Sequence, residues 1–378
     1  MWTDDKVPGV YKSEDVVAPG PQLPTGVPGF IGFTSAPGAD SLHTAVVLHR
    51  KDDLRAKSGK LPPIPEDGFL AEAVNGFFLN GGVRCHVVYA AAADPEESVK
   101  DALDALARLD DIDLIAVPDA MSLTPEDVRE RVQRIVLEYC REHPGRMAIL
   151  DALPQQNQAG IKEQRHAISL GMPEPINGAL YYPWIKTVEG KLVPPCGHVA
   201  GIYARSDARV GVFKAPANEE VKGALDLEFS LNDQSQAELN PLGINCLRSF
   251  PGRGIRIWGA RTLSSDPDWR YINVRRLFLT LRRWIDLNMG WTSFEPNTPT
   301  LWVRIERELA SYLSQLWLAG ALAGQSADEA FYIKCDIETN PPETESAGQV
   351  FTEIGLAVSA PAEFVKVRVV HHTGVDPR

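Results

Sequence analysis

Regular alternation of strand and helix patterns in the first half of the chain restricts the fold more than any other feature of the sequence. Three short apolar segments have the composition of buried strands, and two amphipathic segments of helical spacing separate them. In order, these are strand 84–90, helix 95–109, strand 112–118, helix 125–143 and strand 146–150. Since such connections join parallel strands by right-handed crossovers, the run predicts an α/β fold with a largely parallel sheet and helices on its faces.

Weaker patterns predict further elements around this run. An amphipathic helix is expected at 69–80, because Gly81 and Gly82 follow it as a stop signal, and a long helix with one apolar stripe is expected at 299–319. Strand patterns occur at 198–204, 331–336 and 350–358. The acidic residues of segment 110–113 are expected to form a solvated turn.

The two ends of the chain lack the pattern of a packed core. Residues 1–38 contain six prolines with glycines between them, which predicts an extended arm with short strands at 10–17 and 29–33, or alternatively a disordered leader. Near the other end, two basic residues, Lys366 and Arg368, alternate with apolar ones. The apolar residues are Phe364, Val365, Val367 and Val369. A strand of this kind can add to the sheet of another chain. On pattern alone, an edge strand of the chain's own sheet is the favoured alternative.

A strongly basic segment occupies residues 240–284. It has the pattern of a strand, a glycine-rich turn, a second strand and an amphipathic helix. Two aspartates accompany nine arginines: Arg248, Arg253, Arg256, Arg261, Arg270, Arg275, Arg276, Arg282 and Arg283. Arginine suits fixed, paired contacts, so about half of these side chains are expected to bond within the chain and the rest to contact an acidic partner. Because the whole chain carries a formal net charge of -12, a protein is favoured over nucleic acid as that partner.

The same segment resembles a known family. Residues 243–278 read GINCLRSFPGRGIRIWGARTLSSDPDWRYINVRRLF, which is similar to the C-terminal signature of contractile tail sheath proteins from phage tails, R-type pyocins and extracellular contractile injection systems. The resemblance extends to 198–218, 330–336 and 361–372 and covers roughly half of the chain. Its characteristic residues are Gly252, Arg253, Gly254, Trp258, Arg261, Trp269 and Tyr271.

The resemblance implies a domain organisation and a function. It implies an N-terminal arm (1–38), an outer α/β domain (39–232), an inner α+β domain (233–360) and a C-terminal arm strand (361–378). Subunits made in the cytoplasm would stack as helical six-fold rings around an inner tube, contact baseplate and terminal cap proteins, and contract to drive the tube through a target envelope. The residues implied in strand addition between subunits are Val10, Tyr11, Phe364, Val365, Val367 and Val369. The implied tube contacts are Arg275, Arg276, Arg282 and Arg283.

The sequence offers little support for catalysis or for ligand binding. An α/β hydrolase-like enzyme of the subtilisin type, with an oligomerisation domain, is the alternative function. However, the chain lacks a GxSxG motif, and its histidines stand in no recognisable catalytic setting. It also lacks a phosphate-binding GxxxxGK[ST] motif and CxxC spacing, so no cofactor, metal or catalytic residue is expected. No apolar run reaches the roughly 20 residues of a membrane span, and the N-terminal segment has no secretory-signal pattern.

Overall fold

The computed structural model of the protein describes residues 23–35, 42–56, 68–342, 349–361 and 363. Its strands are β1 (Pro28–Thr34), β2 (Val46–Leu48), β3 (Cys85–Ala91), β4 (Leu114–Ala116), β5 (Met147–Asp151), β6 (Gly178–Tyr182), β7 (Ile185–Thr187), β8 (Leu192–Val193), β9 (Ala224–Leu227), β10 (Ile244–Phe250), β11 (Gly254–Trp258), β12 (Phe331–Lys334) and β13 (Glu353–Leu356). Its helices are α1 (Asp53–Ala56), α2 (Leu70–Leu79), α3 (Pro95–Ala107), α4 (Glu126–Glu142), α5 (Gln158–Ser169), α6 (Cys196–Arg209), α7 (Asp233–Leu239), α8 (Ile272–Asn288), α9 (Pro299–Leu318) and α10 (Ala327–Ala330). The alternating run predicted between residues 84 and 150 is confirmed as β3, α3, β4, α4 and β5.

One large sheet organises most of these elements. Its eight strands lie in the order β11-β10-β6-β5-β4-β1-β3-β2. The six inner strands are parallel, while β11 and β2 pair antiparallel at the two edges. The predicted α/β fold with a largely parallel sheet is therefore confirmed.

Apolar cores cover both faces of this sheet. Neighbouring residues of β1 point to opposite faces, as in any strand, so that Ile31 belongs to one core and Phe30 to the other. Helices α3, α4 and α5 supply buried side chains to the first core. Helices α2, α6 and α8 supply them to the second. The fold is thus doubly wound, with helices on both sides of the sheet.

The strand expected at 29–33 lies at the centre of the sheet and not in an arm. All residues of β1 are buried, and the strand pairs with β4 on one side and β3 on the other. A strand that is buried on both faces has no apolar–polar alternation in its sequence. The sequence of β1 therefore does not indicate that the strand lies inside a sheet. Because β10 and β11 also belong to this sheet, the boundaries predicted after residues 38 and 232 do not separate one sheet from another.

The strand predicted at 198–204 is wrong, because these residues lie in α6. Helix α6 packs closely on α2. A Cβ atom placed on Gly197 would stand 2.2 Å from the carbonyl oxygen of Ala73, and one on Gly201 would stand 2.3 Å from that of Phe77. Two glycines four residues apart lie on one helix face, and this spacing is the sequence signal for such close packing.

The remaining elements form a smaller layer beside the end of α8. Helix α9 buries Trp302, Ile305 and Leu309 together with Met289 and Cys335. Trp284 of α8 stacks on Tyr312 of α9 with ring centroids 4.1 Å apart. Strands β12 and β13 form a separate antiparallel sheet of two strands. The predictions of a long helix at 299–319 and a strand at 331–336 are confirmed in substance.

Asp151, at the end of β5, gives a testable pH dependence of stability. It is buried and accepts a hydrogen bond of 2.8 Å from the backbone amide of Cys196, and burial raises its pKa to about 7. The unfolded value is about 3.9, so the stabilisation is complete below pH ~4 and is lost as pH rises through 7. Relative to wild type, the Asp151→Asn variant should therefore gain up to about 4 kcal/mol in free energy of unfolding between pH 4 and pH 8. Urea unfolding at both values checks this; parallel stability–pH curves would contradict it.

Candidate assembly site

The basic helix α8 places its arginines on two adjacent faces. It begins at Ile272, directly after a short 3-10 turn at Pro267–Trp269 that the Asp266 side chain caps. Residues seven apart lie on one face of a helix. Consequently, Arg275 and Arg282 share an outer face, while Arg276 and Arg283 share a face turned toward the main sheet.

Arg276 is the centre of a buried ion-pair cluster. Its side chain is only 3% exposed, and its Nη1 atom donates to Oδ1 of Asp207 at 2.8 Å. Its Nη2 atom donates to Oδ2 of Asp113 at 2.8 Å and to Oδ2 of Asp207 at 2.5 Å. Burial by itself would lower the pKa of Arg276, but the two carboxylates outweigh burial and raise it. The guanidinium group is therefore a permanent internal cation.

The same face of α8 binds the chain segment that leads into β1. Arg283 donates from Nη1 to the carbonyl oxygen of Pro24 and from Nη2 to that of Asp110, both at 2.9 Å. The carboxylate of Asp113 accepts the backbone amides of Gly26 at 3.0 Å and Val27 at 2.7 Å. The aspartate at 113 is thus a buried structural group and not part of a solvated turn, which corrects the expectation for segment 110–113.

These contacts revise the predicted tube-contact set. Arg276 and Arg283 are buried and bonded within the chain, so their guanidinium groups are not available to the surface of another protein. The expectation of a direct contact is wrong for these two residues in this conformation. For Arg275 and Arg282 it stays a prediction.

The outer face of α8 forms a basic surface. Arg282 is exposed, and half-buried Arg275 donates to Oδ1 of Asn177 at 2.6 Å and stacks on the ring of Trp269. Burial, and then the nearby Arg282, lower the pKa of Arg275 to about 10, so it remains a cation at neutral pH. Both arginines border a shallow cavity of about 280 Å³ to which α4 contributes Arg141. Sequence reasoning missed Arg141, because only the packing of α4 beside α8 brings it there.

The signature residues shape the hairpin and the loop that precede α8. Gly252 and Gly254 have φ angles of +71° and +70° in the β10–β11 turn, where L-residues with side chains are strained. The two tryptophans pack on other aromatic rings, Trp258 on Phe250 and Trp269 on Phe278. The two arginines bind polar side chains, Arg253 that of Asn218 and Arg261 that of Glu363. Tyr271 forms a backbone bridge with Arg261. Five of the seven thus have side-chain or backbone contacts within the chain, and the two glycines have the backbone conformation of the turn.

Comparison with known proteins identifies the family. Residues 96–263 match the phage tail sheath protein central domain, and residues 264–371 match the phage tail sheath C-terminal domain. A chain in the cryo-EM structure of the anti-feeding prophage baseplate is 30% identical, with a TM-score of 0.78 over 97% of this chain and 99% of that one. This chain belongs to the contractile tail sheath family.

Other relatives agree with this sheath assignment. A chain in the contracted sheath complex of the PVC extracellular contractile injection system is 28% identical, with a TM-score of 0.78 over 98% of this chain and 99% of that one. The tail sheath protein of Burkholderia phage BcepMu is 28% identical over 198 residues, which are 49% of this chain and 40% of that protein. The chain spans less than half the length of the curated relatives that it matches.

Several titratable groups of this sheath-family chain are buried. The described residues contain no group of three or more His, Cys, Asp or Glu side chains that could hold a metal ion. The five cysteines are buried, and burial raises the pKa of Cys140 and of Cys246 to about 12. Burial lowers the pKa of His198 to about 4.

No helix in the described ranges is long and apolar enough to cross a membrane. The hydrolase alternative is not supported, since the matched domains are sheath domains.

Proposed function

We propose that this chain is the structural subunit of a contractile sheath. It polymerises as helical six-fold rings around an inner tube, and the rings contract to drive the tube through a target envelope. The observation that carries this proposal is its likeness along almost the whole chain to the chain in the contracted PVC sheath. The subunits are made in the cytoplasm and assemble into a phage tail or tail-like particle, with baseplate and terminal cap proteins as further partners.

Strand addition is the proposed link between subunits. The donor strands contain Val10 and Tyr11 at one end and Phe364, Val365, Val367 and Val369 at the other, all of which lie outside the described residues. The two-stranded sheet β12–β13 supports this proposal as an acceptor. Its strands are four residues long, and among the described residues they pair only with each other. A strand from a neighbouring subunit would add backbone hydrogen bonds at its edge.

Contraction is proposed to be a one-way transition between two lattices of the same subunits. The extended lattice is metastable, and the compact lattice is favoured because it buries more surface and pairs more charges. A gain of roughly a few kcal/mol per subunit is enough, since many subunits convert together. This mechanism needs no nucleotide and no catalytic residue. We accordingly expect no labelling by a serine-reactive fluorophosphonate probe; selective labelling of a single serine would count against the proposal.

Negative-stain electron microscopy of the full chain expressed alone tests the assembly. We expect ring stacks or hollow tubes with a helical surface, in the contracted form, because no tube is present to template the extended one. Uniform small particles at high protein concentration would contradict the proposal.

The outer face of α8 is the proposed contact with the inner tube. Reversing Arg282 to Glu should lower the yield of tube-templated sheath roughly ten-fold at low salt, because a reversed charge at an interface costs about 1–2 kcal/mol. Folding should be unchanged, since Arg282 is exposed. The matched control is Lys186→Glu, which makes the same charge change at an exposed position of β7. Equal yields from the two variants would exclude this face as the contact.

A further inference from the structure

We propose that α8 couples the two ends of the subunit by anchoring the root of each terminal segment. The N-terminal root is residues 24–27, and the C-terminal root is residues 359–361 with 363. Tension applied to either terminal segment then passes through one rigid helix to the other. This inference rests on the proposed sheath function, in which those segments join neighbouring subunits.

The N-terminal root is fixed by charged side chains at each of its residues. Arg283 binds the carbonyl of Pro24, the carboxylate of Asp207 accepts a hydrogen bond from Thr25, and Asp113 accepts the amides of the next two residues. Arg276 joins both carboxylates. Four consecutive residues are therefore bound to one charged cluster beside α8.

Gly26 allows this root to lie so close to the helices. Its φ angle is +67°, and a Cβ atom there would stand 2.5 Å from the Cα atom of Ala204 in α6. A side chain would be excluded both by the backbone conformation and by contact with backbone that cannot yield. The root is thus held in one position against the folded body.

The C-terminal root has an equivalent anchor. Arg261 donates from Nε to Oε1 of Glu363 at 2.9 Å, and its Nη2 atom makes a second, short bond to Oε2. This two-point geometry is the strongest pairing of a guanidinium with a carboxylate. In addition, Asn273 of α8 donates to the carbonyl oxygen of Ser359 at 3.2 Å. The backbone of Arg261 itself bridges to Tyr271, the residue directly before α8.

The distribution of buried ion pairs singles out the two roots. The exposed fractions of the paired side chains are 3% and 6% for Arg276–Asp113, 3% and 2% for Arg276–Asp207, and 10% and 13% for Arg261–Glu363. Every other ion pair recorded between described residues has at least one side chain that is 20% exposed or more. A well-packed apolar contact stabilises a fold as well as a buried ion pair does. Directional charged contacts at these two places therefore point to positioning of the chain.

Helix geometry gives the axial span of the α8 residues that act on the two roots. Asn273 and Arg283 contact the roots directly, and Arg276 acts on the N-terminal root through Asp113 and Asp207. The ten steps from residue 273 to residue 283 span about 15 Å along the axis at 1.5 Å per residue. Both roots thus depend on less than three turns of one helix. The outer face of those turns carries the proposed tube contact, so that tube and neighbouring subunits act on the same element.

A charge-reversal series in the full chain tests the C-terminal anchor. Glu363→Arg should raise the protein concentration required for sheath assembly at least ten-fold relative to wild type. The double variant Arg261→Glu with Glu363→Arg should recover at least half of this loss. The matched control Asp233→Arg reverses a charge in the exposed pair with Arg248 and should change the concentration less than two-fold. Assembly of Glu363→Arg at the wild-type concentration, or no recovery in the double variant, would overturn the inference.

A second measurement tests the N-terminal anchor in the unassembled chain. Arg283→Met should speed amide hydrogen exchange at Gly26 and Val27 at least ten-fold, whereas the control Arg282→Met on the same helix should leave it unchanged. Unchanged exchange in Arg283→Met would overturn the anchor. This result does not depend on polymerisation. Failure of the wild-type chain to assemble would instead reject the proposed function.

Discussion

Replacing Arg276 with methionine is expected to lower the free energy of unfolding by about 3–5 kcal/mol, because removal of one partner leaves buried charges uncompensated. Asp113 and Asp207 would then face each other in the interior without a cation. Domains of ordinary stability have about 5–15 kcal/mol in total, so the variant should unfold at a clearly lower urea concentration than wild type. Urea unfolding followed by circular dichroism measures the loss.

Two controls separate this effect from a general loss of packing. Arg282→Met changes an exposed arginine of the same helix and should cost less than about 0.5 kcal/mol. The Arg276→Met variant should regain stability as pH is lowered from 7 toward 4, because protonation removes the uncompensated carboxylate charges. A loss as small as that of Arg282→Met, or one independent of pH, would show that the cluster does not hold charged carboxylates.

The parts of the fold that the sequence predicted are those with local signals. Strands β3, β4 and β5 and the helices between them have clear periodicity, so both their type and their parallel arrangement could be predicted. For β1 the sequence predicts a strand but assigns it to an arm. Its central position depends on pairing with β3 and β4, which are distant in sequence and leave no local trace.

The roles of the arginines in α8 could not be read from the sequence for a related reason. Arg275 and Arg276 are adjacent and chemically identical, and only the direction in which the helix packs makes one half-exposed and the other buried. The partners of Arg276 lie 69 and 163 residues away along the chain. The acidic segment that contains Asp113 also has the composition of a solvated turn, so its buried role becomes visible only when α8 packs across it.

The ion pair at the C-terminal root determines where a C-terminal deletion should start. A deletion that starts at Pro361 would also remove Glu363, and with it the ion pair to Arg261. Any loss of assembly would then combine a missing donor strand with a disturbed anchor. A deletion that starts at Phe364 keeps the anchor and removes only the proposed donor strand with the residues after it.

Deleting residues 364–378 should therefore leave a folded monomer that does not polymerise. The strands and buried core residues described for the main sheet lie between residues 28 and 279, so the thermal midpoint should change by only a few degrees. Without the proposed donor strand, the backbone hydrogen bonds proposed to join neighbouring subunits cannot form. Negative-stain microscopy should show small particles in place of rings or tubes. A shorter deletion of residues 371–378 keeps the alternating strand and should still assemble. Full-length sheath formed by the 364–378 deletion would show that the subunits are joined by other contacts.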